Sequence, residues 1–130
     1  MTALIEVSFG ELIDKITILE IKSARIEDPI KSANIRTELE ALTPVWERCR
    51  APILSTELEG LRGELKQVNE RLWEIEDAIR AQEHAKTFNA AFIELARSVY
   101  LTNDERARLK KRIDGLLGSR FSEEKSYQSY

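Results

Sequence analysis

The chain has 130 residues, enough for one continuous core and too few for two independent ones. One third of the residues are charged, and the signs nearly balance at net -3 with no block of five like charges, which excludes an electrostatic nucleic-acid binder. A lone cysteine, Cys49, and a lone histidine, His84, exclude an internal disulfide and a zinc site built on them, and no apolar run approaches the ~20 residues of a membrane span, so a soluble cytoplasmic protein is expected.

Three prolines and five glycines, most of them near apparent helix ends, leave little room for strands, and the expected class is all-α. Ile5 to Ser8 read as a short extended entry. Ser8 and Glu11 then form an S-x-x-E capping box that starts a first helix at Phe9, running to about Glu27. Phe9, Leu12, Ile16 and Leu19 form one apolar line and Ile18 and Ile21 lie on another, so this helix is expected to be sandwiched. Its charges Glu11, Asp14, Lys15, Glu20 and Lys22 then need partners wherever they are buried.

Asp28 followed by Pro29 is an N-cap with proline at the first helical position, opening a second helix through Ile35, Leu39 and Leu42. Thr43 and Pro44 are expected to interrupt it, with Trp46 in the following turn and Pro52 closing the segment.

The organising stretch is a seam of Leu54, Leu58, Leu61, Leu65, Val68, Leu72, Ile75 and Ile79, spaced alternately by four and three. It predicts a helix from about Ile53 to His84, on the order of 40 Å long, as the spine of an antiparallel helical bundle. Gly60 and Gly63 within it suggest close approach by another helix. A polar stripe of Arg62, Lys66, Asn69, Trp73, Glu76 and Arg80 flanks the seam, and His84 falls where the helix dipole favours a cation.

Ala85 to Asn89 make a turn, and a fourth helix follows with Phe88 or Phe92, Leu95 and Val99 on one face and Ile93, Arg97 and Tyr100 on the next. So short a turn predicts a helical hairpin. If it centres between Lys86 and Thr87, Glu76 faces Arg97 as an ion pair and Trp73 faces Tyr100, with a slip of three or four residues allowed. Thr102 and Glu105 make another capping box, predicting a break near Leu101 to Asp104, and Gly118 and Ser119 end the helix. The expected division is a helical domain over residues 1–120 and a polar aromatic tail over 121–130 that is either disordered or docked by its rings.

The runs SFGELIDKITILEIKSARI (Ser8 to Ile26), VNERLWEIEDAIR (Val68 to Arg80), FIELARSVYLTNDERARLKKRI (Phe92 to Ile113) and EEKSY (Glu123 to Tyr127) resemble the bacterial domain-of-unknown-function family numbered 6165. Asp28 to about Glu64 is poorly matched. The resemblance implies no assigned activity and carries over no catalytic residue. It implies a context near glycosyltransferases of surface-polysaccharide assembly.

Candidate chemistry is sparse. Glu11 with Asp14 and Glu74 with Asp77 repeat the E-x-x-D spacing by which helical pyrophosphohydrolases hold magnesium, but the paired E-x-x-E half is absent and ordinary salt bridges explain them better. Arg25, Arg80 and Arg97 resemble the arginines of helical mutases only by analogy of fold. Cys49 has no histidine neighbour to serve as base. No phosphate loop, nucleophile elbow or zincin motif occurs, and no cofactor or metal is expected.

Two functions remain. The first is a protein-interaction or accessory module that binds a protein partner or itself, since apolar faces and an aromatic tail are in excess. The alternative is a ligand-binding protein or enzyme acting on an anionic or nucleotide-like small molecule, with a site along Asn69, Trp73, Glu76, Arg80, Arg97 and Tyr100. A concave pocket around those polar groups would favour the second, and a contiguous exposed apolar patch the first.

Overall fold

A computed structural model describes residues 1–50 and 55–130. Four helices make up the described fold: α1 (Phe9–Arg25), α2 (Pro29–Arg50), α3 (Thr56–His84) and α4 (Ala90–Leu117). The start of the spine at Ile53 and Leu54 and the closing role given to Pro52 fall outside the described residues. The bundle is all-α, with α3 its longest helix and α3 and α4 joined as a helical hairpin.

Local chemistry sets the helix ends. Ser8 Oγ accepts the Glu11 amide at 3.1 Å and starts α1, but the Glu11 carboxylate turns away to Lys110, so only half of the capping box forms. Asp28 Oδ1 accepts the Lys31 amide at 2.9 Å and starts α2, as the Asp-Pro pair predicts. Ser55 and Asn89 cap α3 and α4 in the same way. Gly118, at φ 68, closes α4 in the left-handed conformation that glycine adopts without strain, and Ser119 N donates to Asp114 O at 2.8 Å.

Two expected interruptions do not occur. α2 runs through Pro44, which sits on an exposed face. Proline removes the hydrogen bond to the Glu40 carbonyl, but Glu40 is itself exposed to water, and Thr43 Oγ1 donates to Leu39 O at 2.8 Å one turn back. α4 runs through Thr102 and Glu105, because Thr102 is buried in the packed part of the hairpin. A cap there would supply about 1 kcal/mol, less than a turn of buried helix packing.

α1 packs on all three other helices, as its several apolar lines predict. Leu12, Ile13 and Ile16 meet Leu58, Leu61, Leu65 and Val68 of the seam, Trp46 of α2, and Leu109 and Ile113 of α4 in one core. Ile13, Leu65, Trp46 and Ile113 are fully enclosed, each worth about 1.5–3 kcal/mol or more of apolar burial. The seam is buried only over this half. α3 has no buried residue after Asn69 and α4 none before Thr102, so the far end of the hairpin projects past α1 and exposes Phe88, Ile93, Tyr100 and Leu101.

Across the hairpin, Arg71 meets Glu105 at 2.9 Å and Arg112 meets Glu57 at 3.7 Å, a register within the expected slip. The Glu76–Arg97 ion pair nevertheless does not form. Glu76 accepts Arg80 Nε at 3.1 Å and Arg97 donates to Glu94 at 3.4 Å, each within its own helix, and about half of each side chain stays in water. Solvated charges gain little from reaching across a hairpin when a partner lies one turn away. Trp73 and Tyr100 part likewise: the Arg25 guanidinium lies over Trp73, and Tyr100 stacks with Tyr130.

The close helix approach expected at Gly60 and Gly63 is found elsewhere. A Cβ at either would meet nothing within 4 Å, whereas at Gly10 it would lie 2.6 Å from Lys110 O and 2.8 Å from Asp114 Oδ1. Gly10 also donates its amide to Asp114 Oδ1 at 2.6 Å, so α1 and α4 touch through backbone. Gly10→Ala should therefore destabilise the fold by about 1–3 kcal/mol in urea unfolding, while Gly60→Ala should stabilise it by about 1 kcal/mol. Equal effects at the two sites would contradict the contact.

Candidate functional site

The site grows from one carboxylate. Asp14 lies on α1 between the apolar positions Ile13 and Ile16 and is 2% exposed. Burial of an unpaired charge would cost several kcal/mol, so its surroundings are built to pair it. From α4, Arg106 donates Nε to Oδ1 at 2.9 Å and Nη2 to Oδ2, a bidentate clamp. From α3, Asn69 donates Nδ2 to Oδ1 at 2.9 Å and to Thr17 Oγ1 at 3.1 Å. The expectation that Asp14 meets a charged or amide side chain on the spine is met by Asn69; Lys15 instead pairs with Glu38 of α2 at 2.7 Å.

Lys110, one turn after Arg106, is also buried and lies 3.8 Å from Asp14 Oδ2. Its ammonium reaches Glu11 at 2.7 Å and Glu123 of the tail at 2.9 Å. Burial alone would lower the Lys110 pKa, but the hydrogen bonds to Glu11 and Glu123 outweigh it and the value is raised. Hydrogen bonding to Asp14 raises Arg106 against its own burial, and the bond from Lys110 lowers Glu123.

The tail therefore docks. It has no regular secondary structure and places Glu123 on Lys110, Glu124 on Lys111 at 3.7 Å, and the Tyr130 hydroxyl on Asp104. Between it and α4 lies a cavity of about 850 Å³ bordered by Tyr100, Asn103, Lys125, Tyr127 and Tyr130.

A second cavity, of about 430 Å³, opens where α1 parts from α4. Asn69 and Arg106 sit in it with Ile18, Leu72, Trp73, Glu76, Asp77 and Asn103, and Asn103 borders both cavities. Of the residues singled out in the sequence, Asn69, Trp73 and Glu76 come together here. Arg80 stands outside, 78% exposed, holding Glu76; Arg97 points to Glu94; Tyr100 lines the tail cavity instead. Sequence reasoning missed Arg106, Lys110 and Asn103. Their signal is weak: Arg106 and Lys110 share a face of α4 with Leu109 and Ile113, and their burial depends on α1 lying across that face.

Among the described residues, no group of three or more His, Cys, Asp or Glu side chains is placed to hold a metal ion, and no helix is long and apolar enough to cross a membrane. His84 lies in the last turn of α3, exposed, and Cys49 is half-buried near the end of α2.

The model of the family of unknown function DUF6165 matches residues 3–130, and the chain belongs to that family. The match includes the Asp28–Glu64 stretch in which the resemblance was poor. No curated protein and no solved structure matches the chain.

Removing one partner of the central cluster should be severe. Asp14→Ala strands Arg106 and Asn69 and should cost about 3–5 kcal/mol in chemical unfolding, whereas Lys15→Ala should cost under about 1 kcal/mol. The tail should respond to pH with a definite sign. The Glu123 pKa is lower folded than unfolded, so its contribution is present above the ordinary value of 4.5 and is lost as pH falls through the lower folded value. The backbone mobility of residues 121–130, read from heteronuclear NMR relaxation, should rise on acidification below 4.5, and Lys110→Met should abolish that dependence.

Proposed function

We propose that this protein binds a small organic molecule in the crevice between α1, α3 and α4. The observation that carries the reading is the crevice floor, where Asn69 and Arg106 are locked by buried Asp14 beneath an opening walled by Trp73 and Leu72. Concave, part-apolar sites with a few fixed polar groups are where small ligands bind, and rigid supports keep those groups in place before the ligand arrives. The arginines behind the expectation of an anionic ligand, Arg80 and Arg97, do not border the crevice.

The test is a thermal-shift screen of the full chain with nucleotides, nucleotide sugars, carboxylates, amines and Mg²⁺. A ligand at about 100 times its Kd should stabilise the fold by ~2.7 kcal/mol. Trp73→Leu, at a half-buried position, should retain helical content and lose that stabilisation. Retention of the full shift in the variant would place binding elsewhere, and silence across the screen would remove the reading.

A second reading, a module that associates with itself or a protein partner, is favoured by one specific observation. The projecting end of the hairpin exposes Phe88 by 57%, Ile93 by 58%, Tyr100 by 44% and Leu101 by 40%. On α4, Ile93, Tyr100 and Leu101 share an outward face. Concentration-dependent sedimentation that Ile93→Asp abolishes would support self-association, and a monomer at all concentrations would oppose it.

A further inference from the structure

We infer that the crevice takes an organic cation, a primary ammonium or amidinium group carried on a compact apolar or planar body. The inference rests on the binding reading above and names its ligand class. Its first support is the orientation of the Asn69 amide. Both hydrogens of Nδ2 are spent, on Asp14 Oδ1 at 2.9 Å and Thr17 Oγ1 at 3.1 Å, and the carboxylate accepts only a donor, so the amide cannot be turned over. What Asn69 presents to the crevice is therefore Oδ1. The residue is 5% exposed, and Oδ1 accepts no hydrogen bond among the described residues. Oδ1 is open to solvent in the crevice, so a ligand N–H would take the place of water on it.

The charges at the mouth point the same way. Glu76 and Asp77 stand on its rim; Glu76 shares its charge with the exposed Arg80, and Asp77 makes no ion pair among the described residues. Arg106, the cation bordering the crevice, is neutralised by its two-pronged contact with Asp14. Arg25 is drawn to Glu74 at 2.5 Å and over the Trp73 ring. An anion entering would meet the Asn69 Oδ1 acceptor and the carboxylates of Asp77 and the half-compensated Glu76, whereas a cation would find Asp77 unpaired among the described residues and an acceptor in Asn69 Oδ1. The Trp73 ring already carries the Arg25 guanidinium on one face, and Trp73, Ile18 and Leu72 supply apolar wall for the body that carries the charge.

Three probes of one planar shape separate charge from fit: benzamidine, benzamide and benzoate, titrated by calorimetry into the full chain at moderate salt while the Asn69 side-chain amide is followed by NMR. Benzamidine should bind at least tenfold more tightly than benzamide and shift the Asn69 signal, and benzoate should not bind. Asp77→Asn and Glu76→Gln, both at exposed positions and checked for unchanged helical content, should each weaken benzamidine severalfold and together at least tenfold. Tighter binding of benzamide or benzoate to the same residues would overturn the ligand class and leave the binding reading intact. Benzamidine binding that the double variant does not weaken would place the cation on the general acidic surface and overturn the inference. Silence of all three probes would also overturn it, and the wider screen above then decides separately whether the crevice binds anything.

Discussion

The fold depends on how a single buried carboxylate is satisfied. Asp14 sits where α1, α3 and α4 meet, and each of the other two helices sends a donor to it: Asn69 from α3 and Arg106 from α4. Apolar contacts alone would let three helices slide by a turn with little change in buried area. A carboxylate that needs an amide on one side and a guanidinium fork on the other fixes the rotation and height of both partners at once. The same chemistry prepares a surface, because groups held by Asp14 cannot relax when the crevice beside them is empty.

The backbone contact at Gly10 and the ion cluster at Lys110 extend that constraint along the α1–α4 interface. Gly10 brings the two helices close enough for its amide to reach Asp114, which places Lys110 under α1 rather than in water. A lysine so enclosed requires carboxylates, and it draws one, Glu11, from α1 and another, Glu123, from beyond the end of α4. Position 123 is thereby tied to the bundle by a charge the bundle itself must neutralise. Docking of the tail uses this charge together with one ring, Tyr130 against Tyr100 and Asp104, while Tyr127 remains 81% exposed.

Much of the fold was legible in the sequence because it rests on local rules. Ser8, Asp28 and Gly118 mark helix ends by the chemistry of their own side chains or backbone, and the seam from Leu58 to Val68 announces its buried face by spacing. The failures share one cause. Thr102 and Pro44 look like stops locally, and tertiary packing or solvation carries the helix through them. Glu76 and Arg97 look paired in projection, but water leaves each free to choose its nearest neighbour. Half of the candidate site was visible as the Asn69–Trp73–Glu76 stripe of a single helix. Arg106 and Lys110 were not, since nothing in a run of alternating charges distinguishes the two that another helix covers from the rest.

The position of the crevice follows from this division of the hairpin. Up to Asn69 and from Thr102 onward, α3 and α4 carry buried residues against α1; beyond those points neither helix has a buried residue, and the outside contacts are Arg25 of α1 on Glu74 and Trp73 and Tyr130 of the tail on Tyr100. Asn69 and Arg106 in the cavity are hydrogen-bonded to buried Asp14, while Glu76 and Asp77 on its rim are exposed and belong to the projecting end. Asn103 stands at the same level and borders the tail cavity as well. A molecule seated on Asn69 would thus touch the fixed core, the projecting hairpin and the neighbourhood of the docked tail together.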